Sequence, residues 1–272
     1  MFADIRGTRL YFEVIGEGQP LILLPGGPGG DCNLYKKAHL PLAEHFQLIL
    51  FDPRGCGQSA ASEPEKYHID EYIEDVEALR QYLGLESFNV LGKSYGGMAA
   101  LGYVLRYPQV INKLIIVASA TGRDFLKLAQ QNLHARGTDA QRYWGQKLLA
   151  GDLANQDELS QAMEVLGDLY SIREKQLRED DAQHKWNAQI AFDPCVYGFS
   201  TFLHDIDFTA QLKSIQQPTL VIGGDQDWVC DPSFSQTMAE KIPNASLCML
   251  AAGHAVDSDQ TEKYLAAISD FL

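Results

Sequence analysis

Residues 92–96 read Gly-Lys-Ser-Tyr-Gly, a pattern that can carry a nucleophilic serine. The apolar run 88–91 precedes this segment and helical spacing begins at residue 95, so a strand, a tight turn and a helix are expected in that order. Such a turn lifts the hydroxyl of Ser94 clear of the sheet, and side chains in place of the flanking glycines would clash with neighbouring backbone. The helix start behind the serine favours developing negative charge. The pattern therefore predicts that Ser94 is a nucleophile.

A second glycine-rich segment, residues 25–30, reads Pro-Gly-Gly-Pro-Gly-Gly and follows the apolar run 21–24. Glycines at the end of a strand let backbone N–H groups approach a ligand. A plain turn is one alternative, and a phosphate-binding loop is another, although the latter would end in Lys followed by Ser or Thr. The tight turn that carries a nucleophilic serine, here residues 92–96, is called an elbow. Beside an elbow, such a loop supplies one donor of an oxyanion hole, and the residue after the nucleophile supplies the other. We therefore expect the N–H groups of Gly27 and Tyr95 to form that hole.

Two aspartates and one histidine complete a set with the serine. Asp225 and Asp227 both lie in the turn after the apolar run 220–222, where a carboxylate can orient a histidine and stabilise its imidazolium. His254 follows the run 247–250, and it alone of the seven histidines lies just past a strand-like run near the C-terminus. The order serine, aspartate, histidine is typical of hydrolases with this elbow. We predict that His254 is the general base, with either aspartate as its partner.

Short, almost continuous apolar runs recur along the chain, and they are typical of parallel strands covered on both faces. They lie at residues 21–24, 48–51, 88–91, 114–117, 220–222 and 247–250. Stretches with helical spacing alternate with them, at residues 70–83, 95–107 and 258–272. The rough alternation at residues 9–15 predicts an antiparallel hairpin strand. The chain is therefore predicted to have an α/β fold with a mostly parallel, doubly wound sheet.

The alternation of strands and helices stops between residues 121 and 212. This stretch is rich in Gln, Leu, Ala and acidic residues and has few strand-like runs, so several helices are expected. Because the alternation resumes at Pro218, we interpret residues 121–212 as a helical cap inserted over the carboxyl ends of the strands. Residues 1–120 and 213–272 then form the core domain. No tether rich in Pro, Gly and Ser separates the two parts, which disfavours a separate linked domain.

Composition and net charge limit the kinds of molecule that this protein is expected to bind. The formal net charge of -14 disfavours binding to nucleic acid or to an anionic membrane, since both repel an acidic surface. The five cysteines are dispersed without the spacing of a zinc site, and no signal-like segment begins the chain, so free thiols and a cytoplasmic location are expected. We expect no metal and no cofactor. The sequence does not indicate an oligomeric state.

Together these motifs resemble those of the α/β-hydrolase superfamily and, within it, the proline iminopeptidase-like branch. The resemblance is carried by residues 26–30, 51–59, 92–97 and 253–254, and it covers residues 1–120 and 213–272. It implies the α/β-hydrolase fold and a catalytic triad of Ser94, Asp227 and His254. Asp227 is preferred to Asp225 because the family places the acid last in a Gly-x-x-Asp turn, here residues 224–227. It also implies an oxyanion donor at Gly27.

The sequence departs from the family pattern at two points. Pro25 stands where the family usually has a histidine that helps to order the glycine-rich loop. Iminopeptidases also use cap glutamates to bind the free amine of the substrate, and no glutamate of the predicted cap lies in a pattern that matches theirs. The candidates are Glu158, Glu164, Glu174 and Glu179.

The resemblance favours hydrolysis of a small acyl compound, with iminopeptidase-like cleavage of an aminoacyl amide or short peptide as the leading hypothesis. A carboxylesterase and a hydrolase of carbon–carbon bonds are alternatives, because the same triad and oxyanion hole serve them. A haloalkane dehalogenase is disfavoured, since that chemistry needs Asp at position 94. A ligand-binding protein that keeps the fold without turnover is the remaining hypothesis. The expected partner is therefore a small molecule or a short peptide.

Overall fold

A computed structural model of the chain, which describes residues 1–181, 183–186 and 188–272, is built around an eight-stranded sheet with the strand order β1-β2-β4-β3-β5-β6-β7-β8. The strands are β1 (Phe2–Ile5), β2 (Thr8–Ile15), β3 (Gln19–Leu24), β4 (Phe46–Phe51), β5 (Phe88–Lys93), β6 (Ile111–Val117), β7 (Thr219–Gly224) and β8 (Ala245–Leu250). Strands β1 and β2 are antiparallel to their neighbours, and β3 to β8 are parallel to one another. The sheet is the mostly parallel one that the apolar runs predict.

Helices cover both faces of this sheet. They are α1 (Asn33–His39), α2 (Ile69–Tyr82), α3 (Tyr95–Arg106), α4 (Asp124–Arg136), α5 (Asp139–Ala150), α6 (Gln156–Tyr170), α7 (Ile172–Asp180), α8 (Phe192–Ser200), α9 (Pro232–Lys241), α10 (Val256–Asp259) and α11 (Thr261–Phe271). The helix predicted at residues 258–272 is wrong in one respect, because the chain forms two helices there. Gln260, with φ -136° and ψ 48°, leaves the helical region and separates α10 from α11.

Alternate residues of the central strands supply two apolar cores. Leu21 and Leu23 of β3 pack on the face covered by α11, whereas Ile22 and Leu24 pack on the face covered by α2 and α3. Because successive side chains of a strand point to opposite faces, a strand covered on both sides must be apolar at every position. This requirement explains the continuous apolar runs of the sequence.

Among the residues that the structure describes, five α-helices, α4 to α8, lie between β6 and β7, where the sequence predicts a helical insertion. Three of them begin with side-chain caps that periodicity alone does not reveal: Thr138 and Gln141 form a capping box at α5, Asn155 caps α6 and Ser171 caps α7. The boundary of the cap at residues 121–212 stays a prediction. None of the helices in the described part of the chain is both long and apolar enough to cross a membrane.

The two ends of this inserted stretch run side by side. Gly122 and Asp207 form an isolated antiparallel bridge. The N–H of Arg123 donates to the carbonyl of Ile206 over 2.7 Å, and the N–H of Phe208 donates to the carbonyl of Thr121 over 2.8 Å. The chain therefore leaves the core and returns to it at almost the same point.

Candidate active site

Ser94 lies on the turn between β5 and α3 with φ 54° and ψ -123°, a backbone conformation that residues other than glycine rarely adopt. The neighbouring glycines make the turn possible. A Cβ on Gly92 would lie 2.2 Å from the carbonyl oxygen of Gly96, and a Cβ on Gly96 would lie 2.0 Å from that of Leu24. The glycine spacing of the motif is therefore a steric requirement of the turn that carries Ser94.

His254 connects Ser94 with Asp227. Its Nε2 lies 3.0 Å from Ser94 Oγ, and its Nδ1 lies 2.7 Å from Asp227 Oδ2. The other oxygen of this fully buried carboxylate accepts the N–H groups of Val229, at 2.8 Å, and Cys230, at 3.0 Å. Because an ionised carboxylate only accepts hydrogen bonds, the Nδ1–H donates to Asp227 and the Nε2 lone pair faces the serine hydroxyl.

Asp225, the other aspartate of the turn, faces away from this histidine. Its Oδ1 accepts the N–H of Ala252 over 3.2 Å, and its own N–H donates to the carbonyl of Leu250. Asp225 therefore ties the turn after β7 to the end of β8. Of the two aspartates that the residue pattern left open, the structure brings Asp227 to His254.

The glycine-rich loop lies beside the elbow and is held by tyrosines. The Tyr72 hydroxyl donates to the carbonyl of Pro25 over 3.0 Å, and the N–H of Gly26 donates to the Tyr35 hydroxyl over 2.9 Å. The turn closes where the N–H of Gly30 donates to the carbonyl of Gly26. These contacts support the loop at the point where Pro25 replaces the histidine of the family.

The N–H groups of Gly27 and Tyr95 are the predicted donors of an oxyanion hole. Within the part of the chain that the structure describes, neither N–H donates to a protein atom. Both residues line the same cavity as Ser94. Two such free donors beside a nucleophile can stabilise an oxyanion.

A cavity of about 680 Å³ opens above Ser94 and His254. Its apolar side is formed largely by side chains from the inserted helices and neighbouring turns, namely Phe125, Leu148, Met163, Trp186, Cys195, Phe199, Leu203 and Val229. The ring of Tyr170, at the end of α6, packs edge-on against His254 with 5.5 Å between the ring centroids. The inserted helices therefore line much of the space above Ser94.

The structure separates the four glutamates singled out in the sequence. Glu158 pairs with Lys147, with 2.6 Å between Oε2 and Nζ, and Glu164 pairs with Arg178 at 3.1 Å. Glu179 is exposed on α7. Glu174 alone of the four lines the cavity, and its Oε2 lies 2.6 Å from Nε2 of His184. Of these four carboxylates, that of Glu174 is therefore the one that borders the cavity.

Comparison with known proteins assigns the family. The family described as alpha/beta hydrolase fold matches residues 19–256. This chain belongs to the α/β-hydrolase family. The hydrolase is 30% identical over 290 residues to the proline iminopeptidase of Lactobacillus delbrueckii subsp. bulgaricus, and the match covers 97% of this chain and 94% of that one. Within the family the chain lies in the proline iminopeptidase-like branch, as its motifs predict.

Solved structures agree on the fold. The hydrolase superposes on the proline iminopeptidase of Mycobacterium smegmatis with a TM-score of 0.77 and 24% identity, covering 100% of this chain and 96% of that one. The enol-lactonase from Burkholderia xenovorans LB400 has a TM-score of 0.79 and 20% identity, with 100% and 99% covered. Proteins that share this fold are therefore named for different activities, and the fold alone does not specify a substrate.

Sequence reasoning missed an ion pair beside Ser94 of this hydrolase. Lys93, the residue before Ser94, pairs with Asp257, the third residue after His254, and both are buried and line the cavity. Burial alone would raise the pKa of Asp257, but the adjacent Lys93 ammonium holds that pKa below its usual range. The opposite charges tie the turn that carries Ser94 to the start of α10, next to residues 251–255, which we call the histidine loop. Lys93, a charged residue within the elbow motif, is the signal that could have indicated a buried ion pair. Its partner could not be identified from the sequence, because Asp257 lies 164 positions away.

Asp227, Cys230 and His254 also form a group whose possible ligand atoms lie within 4.8 Å of one another. Both oxygens of Asp227 already accept hydrogen bonds in this arrangement. Burial raises the pKa of the Cys230 thiol, which disfavours the thiolate that a metal would need. The arrangement thus fits a hydrogen-bonded histidine, and the expectation of a metal-free enzyme stays a prediction.

Proposed function

We propose that this hydrolase cleaves aminoacyl amides or short peptides with a free amino terminus, as a proline iminopeptidase does, through Ser94, His254 and Asp227. The observation that carries the proposal is the hydrogen-bonded series from Ser94 Oγ through His254 to Asp227 Oδ2, at 3.0 and 2.7 Å, on the floor of a cavity that Glu174 also lines. This is the geometry of nucleophile, base and orienting acid.

In the proposed mechanism His254 accepts the hydroxyl proton as Ser94 Oγ attacks the substrate carbonyl. Asp227 stabilises the resulting imidazolium, and the N–H groups of Gly27 and Tyr95 stabilise the oxyanion of the tetrahedral intermediate. His254 then donates the proton to the leaving amine, which departs and leaves an acyl-enzyme. A water molecule, deprotonated by His254, then attacks the acyl group. The acid is released as the bond to Ser94 Oγ breaks, and His254 returns the proton to that oxygen.

Glu174 supports the choice of an amine-bearing substrate. Only 16% of its side chain is exposed, and its carboxylate is held by His184 at the edge of the cavity. A protonated amine beside a carboxylate in such a partly desolvated place gains more than the same pair gains in water. Proline iminopeptidases are also among the relatives of this chain. We therefore assign Glu174 as the partner of the substrate amine.

A charge-neutral substrate tests this assignment. We expect kcat/KM for prolyl p-nitroanilide to exceed that for its N-acetyl derivative by about tenfold or more, because acetylation removes the ammonium. Glu174→Gln should remove most of this preference by slowing the free-amine substrate only. Glu158→Gln is the matched control, because Glu158 pairs with Lys147 outside the cavity lining. Steady-state rates at one pH provide the measurement.

Equal rates for the two substrates, or faster cleavage of simple p-nitrophenyl esters than of either, would favour a carboxylesterase instead. The apolar side of the cavity, formed by residues such as Met163 and Phe199, is the observation that supports this second candidate. A hydrolase of carbon–carbon bonds is the further alternative from the sequence. A non-catalytic binding protein would leave a fluorophosphonate probe unreacted, whereas an activated Ser94 would be labelled.

The tyrosine that holds the glycine-rich loop provides another prediction. Tyr72→Phe removes the donor to the buried carbonyl of Pro25, so the loop that carries the Gly27 N–H is less well held. We expect kcat to fall by about tenfold, since small displacements of catalytic groups are costly. Tyr103→Phe is the control, because its buried hydroxyl donates to Glu77, outside the cavity lining. If both variants lose stability alike and neither loses kcat, the loop does not contribute through Tyr72.

A further inference from the structure

Asp259, the last residue of α10, accepts four hydrogen bonds from two separate parts of the chain. Its Oδ1 accepts the Ser171 hydroxyl and the N–H of Arg173, the latter at 3.0 Å. Its Oδ2 accepts the N–H of Ile172 at 3.1 Å and the N–H of Gly253 at 2.8 Å. The first three donors belong to the start of α7, and the fourth is the residue before His254.

The start of α7 is a favourable place for this carboxylate, because free N–H groups and the helix dipole both attract negative charge there. Helix capping explains only three of the four bonds. The bond to Gly253 adds nothing to the helix, but it fixes the backbone from which the His254 side chain departs. Asp259 therefore joins the cap to the histidine loop.

Other contacts join the same two segments. The N–H of Ala255 donates to the carbonyl of Tyr170 over 2.9 Å, while the Tyr170 ring packs against the imidazole of His254. The buried Ser171 hydroxyl, which donates to Asp259, also accepts the N–H of Glu174 over 3.1 Å. One hydrogen-bonded series thus runs from Gly253 through Asp259 and Ser171 to the backbone N–H of Glu174, the residue whose side chain lines the cavity.

We propose that Asp259 is a positioning residue that fixes the position of His254 relative to the start of α7. One carboxylate then positions both the base and the part of the cavity wall that α7 forms. The inference rests on the proposed role of His254 as general base. It goes beyond that role, because Asp259 itself does not line the cavity and acts through Gly253 and the first turn of α7.

Asp259→Asn tests the inference with a readout that needs no natural substrate. The amide keeps the size of the side chain but loses its charge and accepts at one atom instead of two. We expect the rate of Ser94 labelling by a fluorophosphonate probe to fall about tenfold, since a small misplacement of the base is costly. For p-nitrophenyl acetate we expect a similar fall in kcat, with KM changed by less than about twofold.

Asn155→Ala is the matched control. Asn155 caps α6 by accepting the N–H of Glu158 over 3.0 Å, so this variant also loses a helix cap in the same part of the structure. Its cap lies at the opposite end of α6 from Tyr170, about 20 Å away at the usual rise per residue. We expect labelling within about twofold of the unaltered protein, because helix destabilisation alone does not move His254.

Amide hydrogen exchange provides a second measurement, independent of turnover. In Asp259→Asn the amides of Gly253, Ile172 and Arg173 should all exchange faster, whereas those at the start of α6 should not. Unchanged labelling and kcat, or faster exchange in α7 without faster exchange at Gly253, would overturn the inference. If the unaltered protein fails to react with the probe, the proposed function is wrong, and hydrogen exchange alone then decides whether Asp259 joins the two segments.

Discussion

Ser94→Ala is expected to lower kcat by at least about a thousandfold, the size of loss seen when a triad nucleophile is removed. Ser94 Oγ is hydrogen-bonded to His254, with 3.0 Å between it and Nε2, whereas burial raises the pKa of the nearby Cys230 thiol and so disfavours its nucleophilic form. The half-buried hydroxyl contributes little to packing, so the thermal unfolding midpoint should change little. Initial rates on prolyl p-nitroanilide and p-nitrophenyl acetate, together with a melting curve, provide the measurements.

Ser119→Ala is a suitable companion to this experiment. Ser119 lies against the elbow and its hydroxyl donates to the carbonyl of Ser94 over 2.7 Å, but it does not contact His254. We expect Ser119→Ala to retain labelling by a fluorophosphonate and Ser94→Ala to lose it. Turnover that survives in a clean Ser94→Ala protein would contradict the serine mechanism.

Asp227→Asn is expected to have the next largest effect, a loss in kcat of about a thousandfold to ten-thousandfold. An asparagine can donate to Nδ1 of His254, which places the proton on Nε2 and removes the lone pair that faces Ser94. It also withdraws the negative charge that stabilises the imidazolium. The backbone donors at Val229 and Cys230 still find an acceptor, so the fold should persist.

Asp225→Asn is the natural control, because this residue lies only two positions away in the same turn. Its carboxylate accepts the N–H of Ala252 and makes no contact with His254, so kcat should change by less than about tenfold. The pH dependence of kcat/KM reports the ionisation of the base in the free enzyme, and it should be measured for the unaltered protein, Asp225→Asn and Asp227→Asn. A larger loss for Asp225→Asn than for Asp227→Asn would show that the acid is misassigned.

The parts of the site that sequence could predict are those that local backbone requirements impose. The glycines at 92 and 96 are needed because any Cβ there would overlap a carbonyl oxygen, and the same constraint reveals Ser94 between them. His254 was found from its place after an apolar run. The choice between Asp225 and Asp227 needed the family pattern, because their positions in the turn differ by only two residues and each suits a strand end.

The parts that sequence could not predict depend on contacts between distant segments. Lys93 and Asp257 are each unremarkable along the chain, and only the fold pairs them. Asp259 contacts Ser171 across 88 positions, and no periodicity connects the two. The cap posed the same difficulty: its helices were expected as a group, but which glutamate lines the cavity depends on how they pack. Strand β1 went unpredicted because Phe2–Ile5 is too short to show an alternation.

The side-by-side ends of the stretch between β6 and β7 have a consequence for how such an enzyme can diversify. The chain leaves and rejoins the core at the bridge between Gly122 and Asp207. Because these two ends are adjacent, the stretch between them constrains the core no more than a short surface loop would. A different stretch with the same two ends can replace it while the turn that holds Ser94 keeps its shape. The wall of the cavity can therefore change while Ser94 keeps its place on the turn. Asp259 limits this freedom, since any replacement must again present N–H groups to its carboxylate.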